Sequence, residues 1–169
     1  REGLAGAGEW HQLRELFPPV EGGAVLDLGC GYGWHCRYAA EQGAAEVLGL
    51  DASVRMIDEA RRRCAAPGVR YEVCDLDAYG YPPERYDLVV SNLVLHYVED
   101  LEAVYRNVMG TLKAGGVFLV NIEHPVFTAG VDQEWVRDGE GRVLHWPVDG
   151  YFTPGRRVTS FLGRRVVKQ

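Results

Sequence analysis

Ala24-Val25-Leu26-Asp27-Leu28-Gly29-Cys30-Gly31-Tyr32-Gly33 is the stretch whose reading decides the fold. Ala24 to Leu28 is a short apolar run between Gly22-Gly23 and Gly29, the pattern of a buried strand. Gly29, Gly31 and Gly33 let the backbone turn sharply and let a ligand approach its amides. A helical stretch follows from Gly33 to Gln42, stopped by Gly43. A strand feeding a helix through a glycine-rich turn is the opening unit of an α/β sheet.

The same alternation continues outward. Glu46-Val47-Leu48-Gly49-Leu50 reads as a second strand. Ser53 is placed to cap the next helix, with Val54, Ile57 and Ala60 spaced for one buried face. Pro67-Gly68 ends it, and Val69 to Val73 is a third strand. Pro82-Pro83 breaks the chain before the fourth, Tyr86-Asp87-Leu88-Val89-Val90-Ser91. A helix over 100–112 carries Leu101, Val104, Tyr105 and Val108 on one side. Lys113-Ala114-Gly115-Gly116 reads as a turn, and Val117 to Ile122 as a fifth strand. Strictly alternating units imply a mostly parallel sheet with helices on both faces and right-handed crossovers.

The character changes after His124. Residues 125–169 are rich in glycine, aromatics and arginine, without a clear helix. Val136 and Val143-Leu144-His145-Trp146 flank Asp138-Gly139-Glu140-Gly141, a hairpin pattern. A second hairpin would join Arg157–Leu162 to Arg164–Val167, turning at Gly163. The expected organisation is one domain over 1–169. It has an N-terminal cap segment (1–20), a ligand-binding core (21–123) and a C-terminal β-hairpin lid or substrate segment (124–169).

In an open α/β sheet, ligands bind beyond the carboxyl ends of the strands, where the strand order switches. Three features fall at such ends: the loop Gly29-Cys30-Gly31-Tyr32-Gly33, Asp51 after the second strand, and Asp75 after the third. An acid about twenty residues beyond such a loop is where ribose hydroxyls are met. Asp75 is placed to accept from an exocyclic amine. A dinucleotide fingerprint would need Gly-x-Gly-x-x-Gly, but position 34 is Trp. A pyrophosphate wants bare amides at a helix N-terminus. A ligand with an amino group and a positive charge would rather meet carboxylates, and Asp27 stands at the start of the loop.

On these residues the chain resembles the class I S-adenosylmethionine-dependent methyltransferases. Val25 to Gly33 is similar to that family's first motif, Gly49-Leu50-Asp51-Ala52-Ser53 with Met56 to its second, and Cys74-Asp75-Leu76 to its third. Tyr86 to Tyr97 resembles the fourth, and Leu112-Lys113-Ala114-Gly115-Gly116 the turn before the fifth strand. The resemblance covers residues 20 to 123 in order, nearest to the small-molecule branch of quinone-biosynthesis methyltransferases. It implies a Rossmann-like doubly wound sheet and S-adenosyl-L-methionine as cofactor. It also implies methyl transfer to O, N or C of a small-molecule acceptor by in-line displacement. By the same resemblance Gly29 and Gly31, with Cys30 and Gly33 in the same loop, pass beside the methionine part. Asp51 binds the ribose, Asp75 and Leu76 hold the adenine, and Ala52 and Met56 line its pocket. Ser91, Asn92 and His96 lie near the sulfonium and acceptor. Gly8-Glu9-Trp10-His11 closes over the cofactor, or Trp10 serves only as a hydrophobic staple on a short helix. Family members usually add two further strands. Their pattern is not seen here, so a truncated or partly ordered C-terminus is expected, with exposed edges that invite homodimer pairing.

His124, directly after the fifth strand, is the candidate base or substrate contact. Pro125 biases it toward an extended conformation, and a histidine titrates near neutrality; the alternative is a structural histidine bonded to a loop carbonyl. Glu123 reads as a capping or solvent carboxylate. Trp135, Trp146, Tyr151 and Phe152 would wall an acceptor pocket or pack a lid. Arg156 and Arg157 would meet an anionic group or be surface charge.

Composition bounds the rest. A formal charge of −6 is unlike a nucleic-acid binder, and no apolar run is long enough to span a bilayer. Arg1 to Gly6 lack the apolar core of a signal peptide, which points to the cytoplasm. Cys30, Cys36, Cys64 and Cys74 form no Cys-x-x-Cys pair and read as reduced core residues, so no metal is expected. Two other readings compete: a NAD-dependent oxidoreductase on a similar sheet, and a non-catalytic module that only binds S-adenosylmethionine.

Overall fold

The computed structural model describes residues 3–130, 132–153, 155–161 and 164–168. The chain forms two compact units, residues 1–95 with 100–121, and residues 96–99 with 122–169.

The first unit is built on five parallel strands: β1 (Ala24–Leu28), β2 (Glu46–Asp51), β3 (Val69–Val73), β4 (Tyr86–Asn92) and β5 (Leu112–Asn121). Their order is β3-β2-β1-β4-β5, so the direction of winding reverses between β1 and β4. The doubly wound sheet expected from the alternating pattern is therefore present. Helices α1 (Trp10–Leu16), α2 (Trp34–Glu41), α3 (Val54–Arg63) and α4 (Leu101–Thr111) complete the unit.

Period-two alternation sorts the strand residues between the faces. Val25, Val47, Leu88, Val90 and Leu119 join one core cluster with Cys36, Ala39, Ile57 and Ala60 from α2 and α3. Leu26, Leu28, Leu50 and Val89 alternate with them and are also buried. On that second face Tyr105 of α4 sets its ring edge-on to Phe118 of β5, 5.4 Å between centroids. All five residues of β1 are buried, as a central strand covered on both sides must be. Each Leu or Val so buried contributes roughly 1.5–3 kcal/mol.

The helix caps follow the sequence. Ser53 Oγ accepts the Met56 amide at the start of α3, and Asp100 Oδ1 accepts the Ala103 amide at the start of α4. The buried stripe of α3 is Ile57, Ala60 and Cys64, at i, i+3 and i+7. Val54, expected on that face, lies in the first turn and is 60% exposed.

The expected turn at Lys113–Gly116 is a bulge inside β5. Tyr86 pairs with Leu112 while Leu88 pairs with Val117, so four residues of β5 face one of β4. That one is Asp87, whose carboxylate accepts from Lys113 Nζ at 2.7 Å and from the Ala24 amide at 2.8 Å. These bonds hold its carboxyl below the usual range and tie the start of β1 to the bulge. Arg62 and Arg63 pair with Glu59 on the solvated side of α3. Cys30, Cys36 and Cys64 are buried free thiols.

In the second unit, β6 (Val136–Arg137) and β7 (Val143–His145) form the first expected hairpin, and β8 (Arg157–Phe161) and β9 (Arg164–Lys168) the second. The turn expected at Leu162-Gly163 lies outside the described residues. A single turn of helix, α5 (Val126–Ala129), stands where no helix was expected.

Gly49 in β2 is closely packed by α2, the glycine loop and β3. A Cβ there would lie 2.8 Å from Cys36 Sγ, 2.9 Å from Cys30 Sγ and 2.9 Å from Tyr71 Cδ1. Gly49→Ala is expected to cost about 1–3 kcal/mol. That is roughly 2–4 °C of melting temperature per kcal/mol for a chain of this size, read by differential scanning fluorimetry.

Candidate active site

The glycine loop leaves β1 at the point where the winding reverses. Gly29, Gly31 and Gly33 all have positive φ, at 74°, 53° and 79°, which a residue with a side chain adopts at a cost. Two of them are also packed shut. A Cβ on Gly29 would meet Val94 Cγ2 at 2.1 Å, and one on Gly33 would meet the Tyr71 hydroxyl at 2.4 Å. Gly31 differs, with no atom within 4 Å of where its Cβ would stand. The loop is thus braced below and open at its middle. The brace is Tyr71 of β3, whose hydroxyl donates to the Cys64 carbonyl at 2.9 Å.

Four of the five loop amides are bonded internally. Those of Gly29 and Cys30 both donate to the Leu50 carbonyl at 2.8 Å, and that of Gly33 to the Cys30 carbonyl at 2.8 Å. The Gly31 amide donates to Asp51 Oδ2 at 3.0 Å, while Asp51 Oδ1 accepts from Ser53 at 2.8 Å. Asp51 therefore fixes both the loop and the start of α3. Its carboxylate keeps further acceptor capacity for a vicinal diol.

Asp27 is only 1% exposed. Its Oδ2 accepts from the Cys36 thiol at 3.2 Å, and its Oδ1 has no hydrogen-bond partner. Burial pushes this carboxyl above its ordinary range, opposed by the nearby His35. A buried carboxylate with an empty oxygen is costly by itself. It is suited to a ligand bringing an ammonium or another cation.

The remaining expected residues are distributed as follows. Asp75 is exposed beyond the end of β3, its Oδ1 accepting from Asp77, and Leu76 beside it is buried. Ala52 is exposed and Met56 half-buried. Ser91 is fully buried and donates to the Leu28 carbonyl at 3.3 Å, so its hydroxyl serves the sheet. Asn92 donates to Glu9 Oε1 at 3.1 Å and accepts from Asn121 Nδ2 at 2.7 Å. Trp10 packs on α2, with ring centroids 4.8 Å from Tyr38 and 5.5 Å from His35. The N-terminal segment is thus pinned twice, by Trp10 on a helix and by Glu9 at the end of β4.

His96 belongs to the second unit. It is buried, its Nδ1 has no partner, and burial with the nearby Lys168 lowers its pKa. Glu123, expected as a cap or solvent group, is instead ion-paired with the buried Lys168. His124 is exposed. Its Nδ1 accepts the Val126 amide at 3.3 Å, and its ring tilts over Tyr151. Among the described residues no group of three or more His, Cys, Asp or Glu could hold a metal ion. No helix among them is long and apolar enough to cross a membrane.

Sequence reasoning missed Asn121, Asp87 and Tyr71. It also missed Leu93, whose φ of 57° stores strain directly after β4, where strained backbone often accompanies binding sites. Asp87 was legible in principle, as an acid at the head of a strand followed by a lysine before a Gly-Gly pair.

Asp27→Asn is expected to raise the ligand-free melting temperature by about 2–8 °C, equivalent to about 1–2 kcal/mol, read by differential scanning fluorimetry. A raised carboxyl pKa contributes stability that is present below the ordinary 3.8 and lost as pH rises through the folded value. The thermal gain should therefore shrink as pH falls toward 3.8.

Comparison with known proteins bears on the family and the fold. The family model for the methyltransferase domain matches residues 26–120, more than half of the chain. A solved protein from Listeria monocytogenes is 47% identical with a TM-score of 0.90, covering 99% of this chain and 75% of its own. The S-adenosylmethionine-dependent methyltransferase from Mesorhizobium loti is 46% identical with a TM-score of 0.85, covering 92% and 70%. Phosphoethanolamine N-methyltransferase 1 of Triticum aestivum is 31% identical over 125 residues, covering 71% of this chain and 25% of its own. The chain spans between 23% and 60% of the length of the curated relatives it matches. By these matches the chain belongs to the class I S-adenosylmethionine-dependent methyltransferases.

Proposed function

We propose that this protein transfers a methyl group from S-adenosylmethionine to an oxygen, nitrogen or carbon of a small-molecule acceptor. The observation that carries the reading is Asp27, a buried carboxylate with an unpaired oxygen under a glycine loop. When bound, the cofactor supplies an electrophilic methyl on a sulfonium whose positive charge is lost during transfer.

The residues divide the work. Asp27 receives the cationic amino end, and Gly31, open on its Cβ side, lets that part pass close to the backbone. Asp51 holds the ribose hydroxyls. Asp75 and Leu76 take the adenine, with Ala52 and Met56 beside it. Glu9, Asn92 and Asn121 form a hydrogen-bonded chain from the N-terminal segment across the ends of β4 and β5, which limits water in the crevice. What remains for the protein is alignment and exclusion of water. A base is needed only if the acceptor must shed a proton. His124 is the candidate for that step through Nε2, since its Nδ1 already accepts the Val126 amide.

A nicotinamide dinucleotide is disfavoured by the consumed amides. A pyrophosphate needs free N–H groups, and those of Gly29, Cys30, Gly31 and Gly33 are all bonded within the protein. The relatives' names span N- and O-methylation: phosphoethanolamine in the wheat enzyme, and ubiquinone biosynthesis in a Sinorhizobium medicae enzyme.

Asp51→Ala is expected to weaken S-adenosylmethionine binding by about 10- to 100-fold through loss of charge-assisted hydrogen bonds, read as a raised KM. Unchanged affinity would remove Asp51 from the ribose site. His124→Gln should lower kcat if the acceptor must shed a proton. An unaltered kcat would assign His124 a structural role.

A further inference from the structure

Arg157, at the start of β8, does two things with one side chain. Its Nη2 donates to the carbonyls of Gly150 at 2.7 Å, Thr153 at 2.8 Å and Tyr151 at 3.3 Å, gathering the loop 150–153 around it. Its Nη1 is buried and has no hydrogen-bond partner. One donor nitrogen of the guanidinium is therefore removed from water and unused.

Arg157 also lines a cleft of about 190 Å³ within the second unit, together with Pro125, Thr128, Tyr151, Thr153 and Gly155. Gly155 has φ 129° and no atom within 4 Å of a Cβ position, so that side of the cleft is unobstructed. Pro125 and Tyr151 supply apolar surface, with Phe152 edge-on to Tyr151 at 5.0 Å. An unpaired guanidinium nitrogen out of water is costly unless something pairs with it. The group that matches a guanidinium fork is a planar carboxylate or a phosphate.

We propose that this cleft binds an oxyanion, a carboxylate or phosphate monoester, through Arg157. The three carbonyl bonds occupy Nη2 and hold the guanidinium in place before the anion arrives, so little side-chain freedom is lost on binding. Nη1 is the donor left for the anion, and Pro125 and Tyr151 suit an oxyanion carried on an apolar body.

The test is a side-chain NMR titration of the arginine Nε–Hε resonances. Inorganic phosphate and acetate are used as probes at constant ionic strength, with chloride as the reference. Saturable binding of at least one probe is expected, and the tighter one identifies the class of anion. Arg157→Gln should weaken that binding about tenfold or more, with S-adenosylhomocysteine affinity retained. If Arg157→Gln misfolds, Arg157→Lys decides. Lysine keeps the charge but lacks the fork, and weaker anion binding is expected. The proposal is overturned if neither probe saturates beyond chloride, or if the folded variant binds as the parent protein does.

Discussion

The carboxylate pair Asp27 and Asp51 is the constraint around which the first unit is arranged. Asp51 ties the end of β2 to the middle of the glycine loop and to the start of α3. Asp27 lies one strand away, buried against Cys36 with an oxygen unsatisfied. Burying a carboxyl in the core costs stability, and Cys36 and His35 offset only part of that cost. Such a defect persists where a ligand later satisfies it. The rest of the unit holds these two groups in place. Tyr71 braces the loop from below, Gly49 lets α2 close on β2, and Asp87 fixes the start of β1.

Much of this was legible in the sequence. All five parallel strands were marked by apolar runs between glycine, proline and polar breaks. Ser53 was marked as a cap by its place before an apolar stripe. The loop's ligand class followed from Asp27 and from Trp34 standing where a dinucleotide loop needs glycine. What escaped reading depends on side chains far apart in sequence. Asp87 and Lys113 are 26 positions apart and meet only because a bulge in β5 forms opposite β4. Asn92 and Asn121 meet across neighbouring strands. Glu123 looked like a surface acid because its partner, Lys168, lies 45 residues on. Ser91 has the composition of a ligand residue, but period-two geometry turns it into the sheet.

The two units differ in how they could change. The glycine loop is locked to three strands, so changing its ligand would mean rebuilding the core. The second unit is made of short hairpins and one turn of helix, with several exposed aromatics such as Trp135 and Phe152. Acceptor choice is expected to reside in such a segment, and one cofactor site then serves many acceptors.

The central claim is that the loop accepts a cation-bearing nucleoside and refuses a pyrophosphate. Calorimetric titration of the unmodified protein with S-adenosylhomocysteine and, separately, with oxidised and reduced nicotinamide dinucleotides tests it most directly. The account predicts one-to-one binding of S-adenosylhomocysteine and no measurable heat from either dinucleotide. Saturable dinucleotide binding, with S-adenosylhomocysteine silent, would contradict it.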